Sequence, residues 1–255
     1  MSLIIQTNIE SLSLNRYMGD TLKNMFSSLE KLSSGVRINR AADGPAELII
    51  SEQFRSQIAT LNQQIDNTGN LIEKYSYASS TVSGIRSQLT ELRTLALGAA
   101  NAGFNDETAQ QAYQTAANGI VESVNKTIDG AEYNGYKLFD DSLNALAPLD
   151  GLGNVDFSSA EAAESAIAQI DAKISEVDQA QIEIGSTQRN ELEAQKRSME
   201  ISRENLIAAE TNIRSTDMAL EMSRFIGESM KYKASIAMLS HQFIQANLVL
   251  GLLGS

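Results

Sequence analysis

The sequence predicts a mainly α-helical fold, an elongated rod of antiparallel coiled-coil helices in a helical bundle with one small β-hairpin. First, apolar residues recur at alternating steps of three and four in long stretches, the spacing of helices that wrap around one another. Second, the 255 residues include only two prolines and 5% aromatic residues, which favours thin, elongated packing. Third, an Asn-Gly pair between aromatic residues at 133–136 indicates a tight hairpin turn.

Composition narrows the classes of function. The chain has no cysteine, one histidine and no glycine-rich phosphate loop or nucleophile motif, which argues against an enzyme. We assign no catalytic, cofactor-binding or metal-binding residue, and His241 lacks a second ligand three or four residues away. The formal net charge of −12 opposes nucleic-acid binding. Residues 1–6 show no secretory leader, so we expect any export to use another route.

The first predicted helix ends at Ser33-Ser34-Gly35, where serine and glycine weaken a helix. Asp43-Gly44-Pro45 starts a second helix over 45–101, about 85 Å long at about 1.5 Å per residue, which requires a partner helix. A third helix is predicted over 106–129. We call the row of residues that is expected to face a partner helix the seam. The seam of the first helix is Leu14, Met18, Leu22, Met25, Leu29, Leu32 and Val36, and that of the second is Phe54, Ile58, Leu61, Ile65, Thr68, Ile72, Tyr75, Val82, Ile85, Leu89, Leu92, Ala96 and Ala99.

The helical pattern stops at a predicted hairpin over 133–139 and a turn-rich loop over 140–160. It returns from Ser159 as a helix that can run antiparallel to the second one. The phase of this later helix shifts along its length. Its apolar residues are Ile167, Ile170, Ile174, Val177 and Ile184, followed by a series seven apart, Leu192, Met199, Leu206, Ile213 and Leu220.

Residues 234–255 contain no Asp, Glu, Lys or Arg, and their apolar residues surround the helix. Such a segment requires burial. A bilayer is one environment, since about 20 apolar residues span it. Polar residues in mid-segment, including Gln242 and Asn247, favour burial among protein neighbours instead.

A motif at residues 29–43 then indicates a family. It consists of Leu-Glu-Lys-Leu-Ser-Ser-Gly-Val-Arg-Ile-Asn-Arg-Ala-Ala-Asp and closely resembles the N-terminal signature of the bacterial flagellins. Further matches occur in order along the chain, and such a distributed series is far more specific than one motif. They are Thr7-Asn8, Leu95-Ala96, Ala100-Asn101, Tyr133-Asn134-Gly135, Lys137-Leu138 and Ser215-Thr216-Asp217.

The resemblance implies an architecture that the periodicity leaves open, with the N- and C-terminal helices paired as the inner layer of a filament. It divides the chain into an inner-core helix with a connecting spoke (1–44), a rod domain (45–214) and a C-terminal inner-core helix (215–255). Only 140–160 stand where most members carry outer domains, so the chain resembles a core-only member. The residues expected to pack between subunits are Leu14, Met18, Leu22, Met25, Leu29, Ile236, Leu239, Phe243, Leu248 and Leu250, and those of the spoke are Ser33, Ser34, Gly35, Arg37, Ile38, Asn39 and Asp43.

The resemblance also implies a receptor surface, because flagellins of some bacteria are detected by an innate immune receptor through the second helix. Arg93 and Leu95 keep the pattern of that surface. Glu91 stands where the recognised members have a basic residue, and Thr94 where they have an acid. We therefore expect a weakened receptor surface.

The implied function is that of a structural subunit that polymerises into the flagellar filament for swimming motility, outside the cell or in a periplasmic flagellum. The implied partners are copies of the chain itself, an export chaperone, the flagellar type III export apparatus, and filament cap and junction proteins. Nucleic acid and stable membrane insertion are not expected. Two alternatives stay open: a hook-filament junction protein, which normally keeps a larger middle domain, and a non-flagellar coiled-coil binding module.

Overall fold

The computed structural model describes residues 9–101, 106–139 and 149–253, with side chains as far as Ile244. Within those ranges it contains six α-helices, one π-helical turn and one two-stranded hairpin. In chain order they are α1 (Ile9–Ser34), α2 (Pro45–Ala99), α3 (Glu107–Gly130), β1 (Glu132–Tyr133), β2 (Tyr136–Lys137), α4 (Ala160–Ser186), the π-helical turn (Thr187–Leu192), α5 (Glu193–Arg214) and α6 (Met218–Leu253). The mainly α-helical fold predicted from the sequence is confirmed.

Helices α2, α3 and α4 begin at residues that reduce the number of unpaired backbone donors. Pro45 opens α2, where a missing N–H costs nothing. Asp106 precedes α3 and accepts a hydrogen bond from the Ala109 N–H at 2.7 Å, and Ser159 caps α4 in the same way. The predicted second and third helices agree with α2 and α3 to within two residues at each end.

Contacts group the chain into two compact units. One unit is Thr60–Ser202. The other joins the described residues up to Ala59 with those from Arg203 onward. The division at residues 44 and 214 that the resemblance implies stays a prediction.

The core of the Thr60–Ser202 unit lies between α2, α3, α4 and the residues after the hairpin. Every residue of the predicted α2 seam is buried or half-buried. Helix α4 runs antiparallel to α2, as predicted, because the numbers of its residues fall as those of their partners on α2 rise. The pairs are Ser79 with Gln181, Arg86 with Asp178, and Arg93 with Asp171.

The hairpin forms where the Asn-Gly pair predicts it. Strand β1 pairs with β2 in antiparallel register, Glu132 opposite Lys137 and Tyr133 opposite Tyr136. Asn134 and Gly135 have φ values of 53° and 82°. A two-residue turn of this kind requires positive φ at both central positions, and asparagine and glycine adopt it most readily.

Residues 149–158 differ from the expected loop. They form neither helix nor strand, yet four of their side chains are buried in the core: Leu149, Leu152, Val155 and Phe157. The first part of the predicted loop, 140–148, lies outside the described residues. The two residues on either side of 140–148 are hydrogen-bonded to each other, because the Leu149 N–H donates to the Phe139 carbonyl at 3.4 Å.

Two side-chain amides of α3 hold this segment against the helix. Asn125 donates to the Leu152 carbonyl at 3.1 Å and accepts from the Leu152 N–H at 2.8 Å. Gln114 donates to the Val155 carbonyl at 2.8 Å and accepts from the Phe157 N–H. The amides thereby satisfy backbone groups that would otherwise be buried without partners, which lets a segment without secondary structure enter the core.

The π-helical turn explains the phase shift in the sequence. Ile184 and Leu192 are eight residues apart, one more than a heptad, and both are buried. A π-helical turn accommodates one extra residue within a continuous helical run. The turn therefore keeps Ile184 and Leu192 both buried, while the later members Met199, Leu206 and Ile213 are half-buried.

The predicted series is wrong at its last member. The helix ends at Arg214, and Leu220 belongs to the separate helix α6. Asp217 accepts hydrogen bonds from the N–H groups of Ala219 and Leu220, at 3.0 and 3.1 Å, and so starts a new helix.

Candidate interaction surface

Helices α1 and α6 pack against each other in the second unit. They run antiparallel, because Ser28 bonds Glu221 while Tyr17, earlier on α1, lies near Lys231, later on α6. The pairing of the terminal helices agrees with the expectation. One row of buried and half-buried residues on each helix follows steps of three and four, Leu14, Met18, Thr21, Met25, Ser28 and Leu32 on α1, and Glu221, Phe225, Glu228, Tyr232, Ser235, Leu239 and Gln242 on α6.

The most deeply buried residues of this pair are polar. Thr21, Ser28, Glu221 and Ser235 are each no more than 6% exposed. The Ser28 hydroxyl donates to one oxygen of Glu221 at 2.6 Å, and Arg224 donates to the other at 3.3 Å. These two hydrogen bonds replace those that the Glu221 carboxylate loses when it is removed from water.

Many large apolar side chains of the pair are exposed, while others are half-buried. On α6, Met230 is 66% exposed and Phe243 62% exposed. The exposed set on α1 is Ile9, Leu12, Tyr17, Phe26 and Leu29, and on α6 it is Met218, Leu220, Met222, Ile226, Met230, Ile236, Met238, Phe243 and Ile244. We call this set the outward apolar face. An apolar surface of this extent typically marks a site of contact with another molecule.

The structure divides the expected packing residues between the two sides of the pair. Leu14, Met18, Leu22, Met25 and Leu239 are half-buried. Leu29, Ile236 and Phe243 belong to the outward apolar face. The side chains of Leu248 and Leu250 lie outside the described residues, although the helix backbone continues to Leu253. Packing of these residues between subunits stays a prediction.

The apolar character of α6 falls short of that of a membrane-spanning helix. No helix in the described part of the chain is both long and apolar enough to cross a bilayer.

The predicted spoke lies where the chain leaves α1. Gly35 has a φ of 69°, a conformation that glycine adopts without strain. Val36 and Ser215 form an isolated antiparallel bridge, in which the Arg37 N–H donates to the Arg214 carbonyl at 2.7 Å and the Thr216 N–H donates to the Gly35 carbonyl at 3.0 Å. The segment after α1 is thus bonded to the segment before α6.

Side chains fix the spoke further. Asp43 accepts hydrogen bonds from the N–H groups of Asn39 and Arg40, at 3.1 and 2.8 Å. Asn39 donates to the Ser34 hydroxyl, and Ile38 is almost completely buried. The guanidinium of Arg40 binds both oxygens of Glu30. Ser33 is exposed in the last turn of α1.

Two arginines connect the spoke region to neighbouring helices of the same unit. Arg37 donates to the Ile213 carbonyl at 2.7 Å and pairs with Glu47 at 3.4 Å. Arg214 donates to Glu52 at 3.0 Å, and this hydrogen bond, with a second one from Arg55, lowers the pKa of Glu52. These bonds add to the backbone hydrogen bonds that hold residues 35–43 in place, and the role of these residues as a spoke stays a prediction.

The expected receptor stretch carries a contact that sequence analysis missed. Arg93 donates to both oxygens of Asp171 on α4, at 2.6 and 3.3 Å, and this lowers the pKa of Asp171 and raises that of Arg93. Glu91 is exposed and Leu95 half-buried. A second pair, Arg86 with Asp178, repeats the arrangement. Both arginines and both aspartates are seven residues apart, a spacing visible in the sequence.

Comparison with known proteins decides the family. The description "bacterial flagellin N-terminal helical region" matches residues 5–144, and "bacterial flagellin C-terminal helical region" matches residues 167–253. Together the two matches cover more than half of the chain. The chain belongs to the bacterial flagellin family. The resemblance carried by residues 29–43 is thereby confirmed.

Relatives in this family match the chain over nearly its whole length. A flagellin of Halalkalibacterium halodurans is 34% identical over 98% of this chain and 100% of its own length. A flagellin of Bacillus subtilis is 30% identical over 98% of this chain and 99% of its own. The flagellar filament 30.7 kDa core protein of Treponema maltophilum is 29% identical, covering 98% and 100%. The likeness is therefore to whole flagellins and not only to their terminal helices.

Proposed function

We propose that this chain is a structural subunit that polymerises into the bacterial flagellar filament, and that the outward apolar face of α1 and α6 is buried between subunits. The observation that carries this assignment is the helix pair itself, whose most deeply buried residues are polar and which leaves many large apolar residues exposed. The names of the relatives, flagellin and flagellar filament core protein, support the same role.

The energetics favour burial between protein neighbours. Moving a leucine-sized side chain fully out of water stabilises by about 1.5–3 kcal/mol. Each exposed apolar residue of α6 can gain part of that free energy when another subunit buries it. Association in turn carries entropic costs, which several such residues per subunit offset.

Repeated contacts between identical subunits can form a filament. Head-to-tail contacts between different surfaces form an open helical polymer when the rotation between subunits does not close. The outward apolar face extends along two long helices, so several neighbours can contact one subunit. The role of the chain is mechanical, and it transmits force by packing.

The proposal includes the route to that filament. The exposed apolar residues of α6 require cover before assembly, which an export chaperone would provide. The flagellar type III export apparatus would deliver the subunit, and cap and junction proteins would border the polymer. The filament would lie outside the cell or in the periplasm. The family match supports the polymer, and the export chaperone, export apparatus, cap and junction proteins follow from the resemblance to flagellins alone.

Weak recognition by the innate immune receptor is also part of the proposal. The Arg93 guanidinium is bound to Asp171, and Glu91 presents a negative charge nearby on the helix. Receptor-reporter cells treated with purified monomer would respond weakly, and Glu91→Arg would increase the response. An unchanged response to Glu91→Arg would contradict the assignment of this surface.

Seeded polymerisation tests the proposed function. Purified monomer is mixed with a precipitating salt and short filament seeds, and electron microscopy scores long filaments. A sample that lacks residues 234–255 serves as the first comparison. We expect filaments only from the full chain. Filaments from neither sample would instead support a junction adaptor or a coiled-coil module.

A pair of point variants keeps the test independent of the deletion. Met230→Glu places a charge on the outward apolar face, where water solvates it in the monomer and a neighbour would bury it in the polymer. Met230→Leu is the matched control, since leucine conserves volume and apolarity at the same position. We expect Met230→Glu alone to prevent polymerisation while the helical circular dichroism is retained. Normal filaments from Met230→Glu would overturn the assignment of this face.

A further inference from the structure

The methionines in the part of the chain that the structure describes fall into a half-buried group and an exposed group. Met18, Met25 and Met199 are half-buried. Met218, Met222, Met230 and Met238 are 49–66% exposed, and all four lie on α6. The chain contains no cysteine, so its thioethers are its most readily oxidised sulfur groups.

These four side chains surround the outer side of α6. At about 100° per residue, they lie about 0°, 40°, 120° and 200° from Met218 around the helix. The residues that face α1, such as Glu221 and Ser235, lie outside this arc, at about 300° and 260°. The four thioethers thus occupy the side of α6 that the proposed function buries between subunits.

We propose that these four methionines are a peroxide-sensitive modification site that controls assembly of the unpolymerised subunit. The inference rests on the proposed function, because it requires the outward apolar face to be a polymer contact. The thioether sulfur attacks one oxygen of hydrogen peroxide, the O–O bond breaks and an S–O bond forms. The sulfur loses two electrons, and the peroxide, reduced by the same two, leaves as water after proton transfer through solvent.

Oxidation changes the property on which assembly depends. Methionine is apolar and flexible, so it adapts to the irregular surface of a neighbour. Methionine sulfoxide is polar, and its oxygen needs a hydrogen-bond partner when buried. In the monomer the oxygen faces water. In the polymer the same oxygen lies in an apolar contact, so the modification opposes assembly without unfolding the subunit.

The exposure of the four methionines determines when they can be oxidised. The free subunit presents the four sulfurs to solvent, whereas polymerisation covers them. The sensitive period is therefore the time between synthesis and incorporation. Sulfoxide reductases reverse the modification, so a subunit that has not yet assembled can be restored.

The experiment compares the native chain with a variant in which Met218, Met222, Met230 and Met238 are all replaced by leucine. Leucine conserves volume and apolarity but cannot be oxidised. Both proteins are treated with hydrogen peroxide, peptide mass spectrometry measures sulfoxide at each methionine, and seeded pelleting measures the critical concentration. We expect peroxide to raise that of the native chain at least about tenfold, and that of the variant less than about twofold.

A second measurement needs no variant. Native monomer and pre-formed native filaments receive the same peroxide dose, and sulfoxide at the four positions is compared. We expect at least about tenfold slower oxidation in filaments. Equal rates, or equal loss of assembly in the leucine variant, would overturn the inference while leaving the proposed function intact. Failure of untreated native chain to polymerise would contradict the proposed function itself.

Discussion

Phe243→Ala measures how much of the outward apolar face assembly uses. Full burial of a phenylalanine side chain contributes about 1.5–3 kcal/mol. Phe243 is 62% exposed in the single chain, so about three-fifths of that free energy is left for a neighbour. The substitution therefore removes about 1–2 kcal/mol per subunit from assembly. At about 1.4 kcal/mol per factor of ten, the critical concentration rises about 5- to 30-fold.

The assay is seeded polymerisation followed by pelleting, with the soluble fraction measured at several total concentrations. Thermal unfolding of the unpolymerised subunit is recorded in parallel. We expect little change there, because most of the Phe243 ring already contacts water and alanine favours a helix. Ser240→Ala is the control, since it changes an exposed residue of the same helix without removing apolar surface.

The opposite pattern would refute the reasoning. If Phe243→Ala leaves the critical concentration unchanged but lowers the melting temperature of the free subunit, the ring packs within the chain. The outward apolar face would then not be the polymer contact at this position.

Three further substitutions test contacts within one subunit. Phe157→Ala removes a fully buried ring and is expected to lower the free energy of unfolding by about 3–5 kcal/mol, measured by urea denaturation; a loss below about 1 kcal/mol would contradict the described packing. Ser28→Ala leaves the buried Glu221 carboxylate without its hydroxyl donor and is expected to cost about 1.5–3 kcal/mol, seen as faster hydrogen exchange in α1 and α6, whereas Ser28→Thr keeps the donor as a control. The Arg93 hydrogen bond lowers the pKa of Asp171 below its usual 3.8, so this pair stabilises the fold above about pH 4 and loses its contribution as the pH falls through the lowered pKa. Asp171→Asn is therefore expected to reduce stability at pH 7 and to flatten its decline below pH 4, and an unchanged decline would show that the pair is not formed.

Most of the fold could be predicted from the helical periodicity of the sequence. A seam of steps of three and four defined α2 almost end to end, since that helix buries one continuous row of apolar residues. The Asn-Gly turn and the phase shift at the π-helical turn were also visible, because each depends on a few neighbouring residues. Local chemistry determines these elements, so the sequence displays them directly.

Contacts between distant residues were harder to predict. The burial of Phe157 depends on an amide of α3 that lies 43 positions earlier in the chain. No sequence pattern in the residues after the hairpin predicts this contact. The first helix was predicted only in part. Its predicted seam is half-buried except at the exposed Leu29, but its most deeply buried residues are Thr21 and Ser28. An apolar pattern does not select polar residues, so the sequence did not indicate these two contacts.

The meeting of Phe139 and Leu149 has a practical consequence. The two residues that border 140–148 are already joined by a backbone hydrogen bond, and Leu149 is buried. A foreign peptide inserted between them would start and finish at one fixed point, and doubling its length would cost only about 0.6 kcal/mol of closure entropy. This position is accordingly a natural place to graft epitopes, enzymes or metal-binding tags that a polymer would display in repeating order.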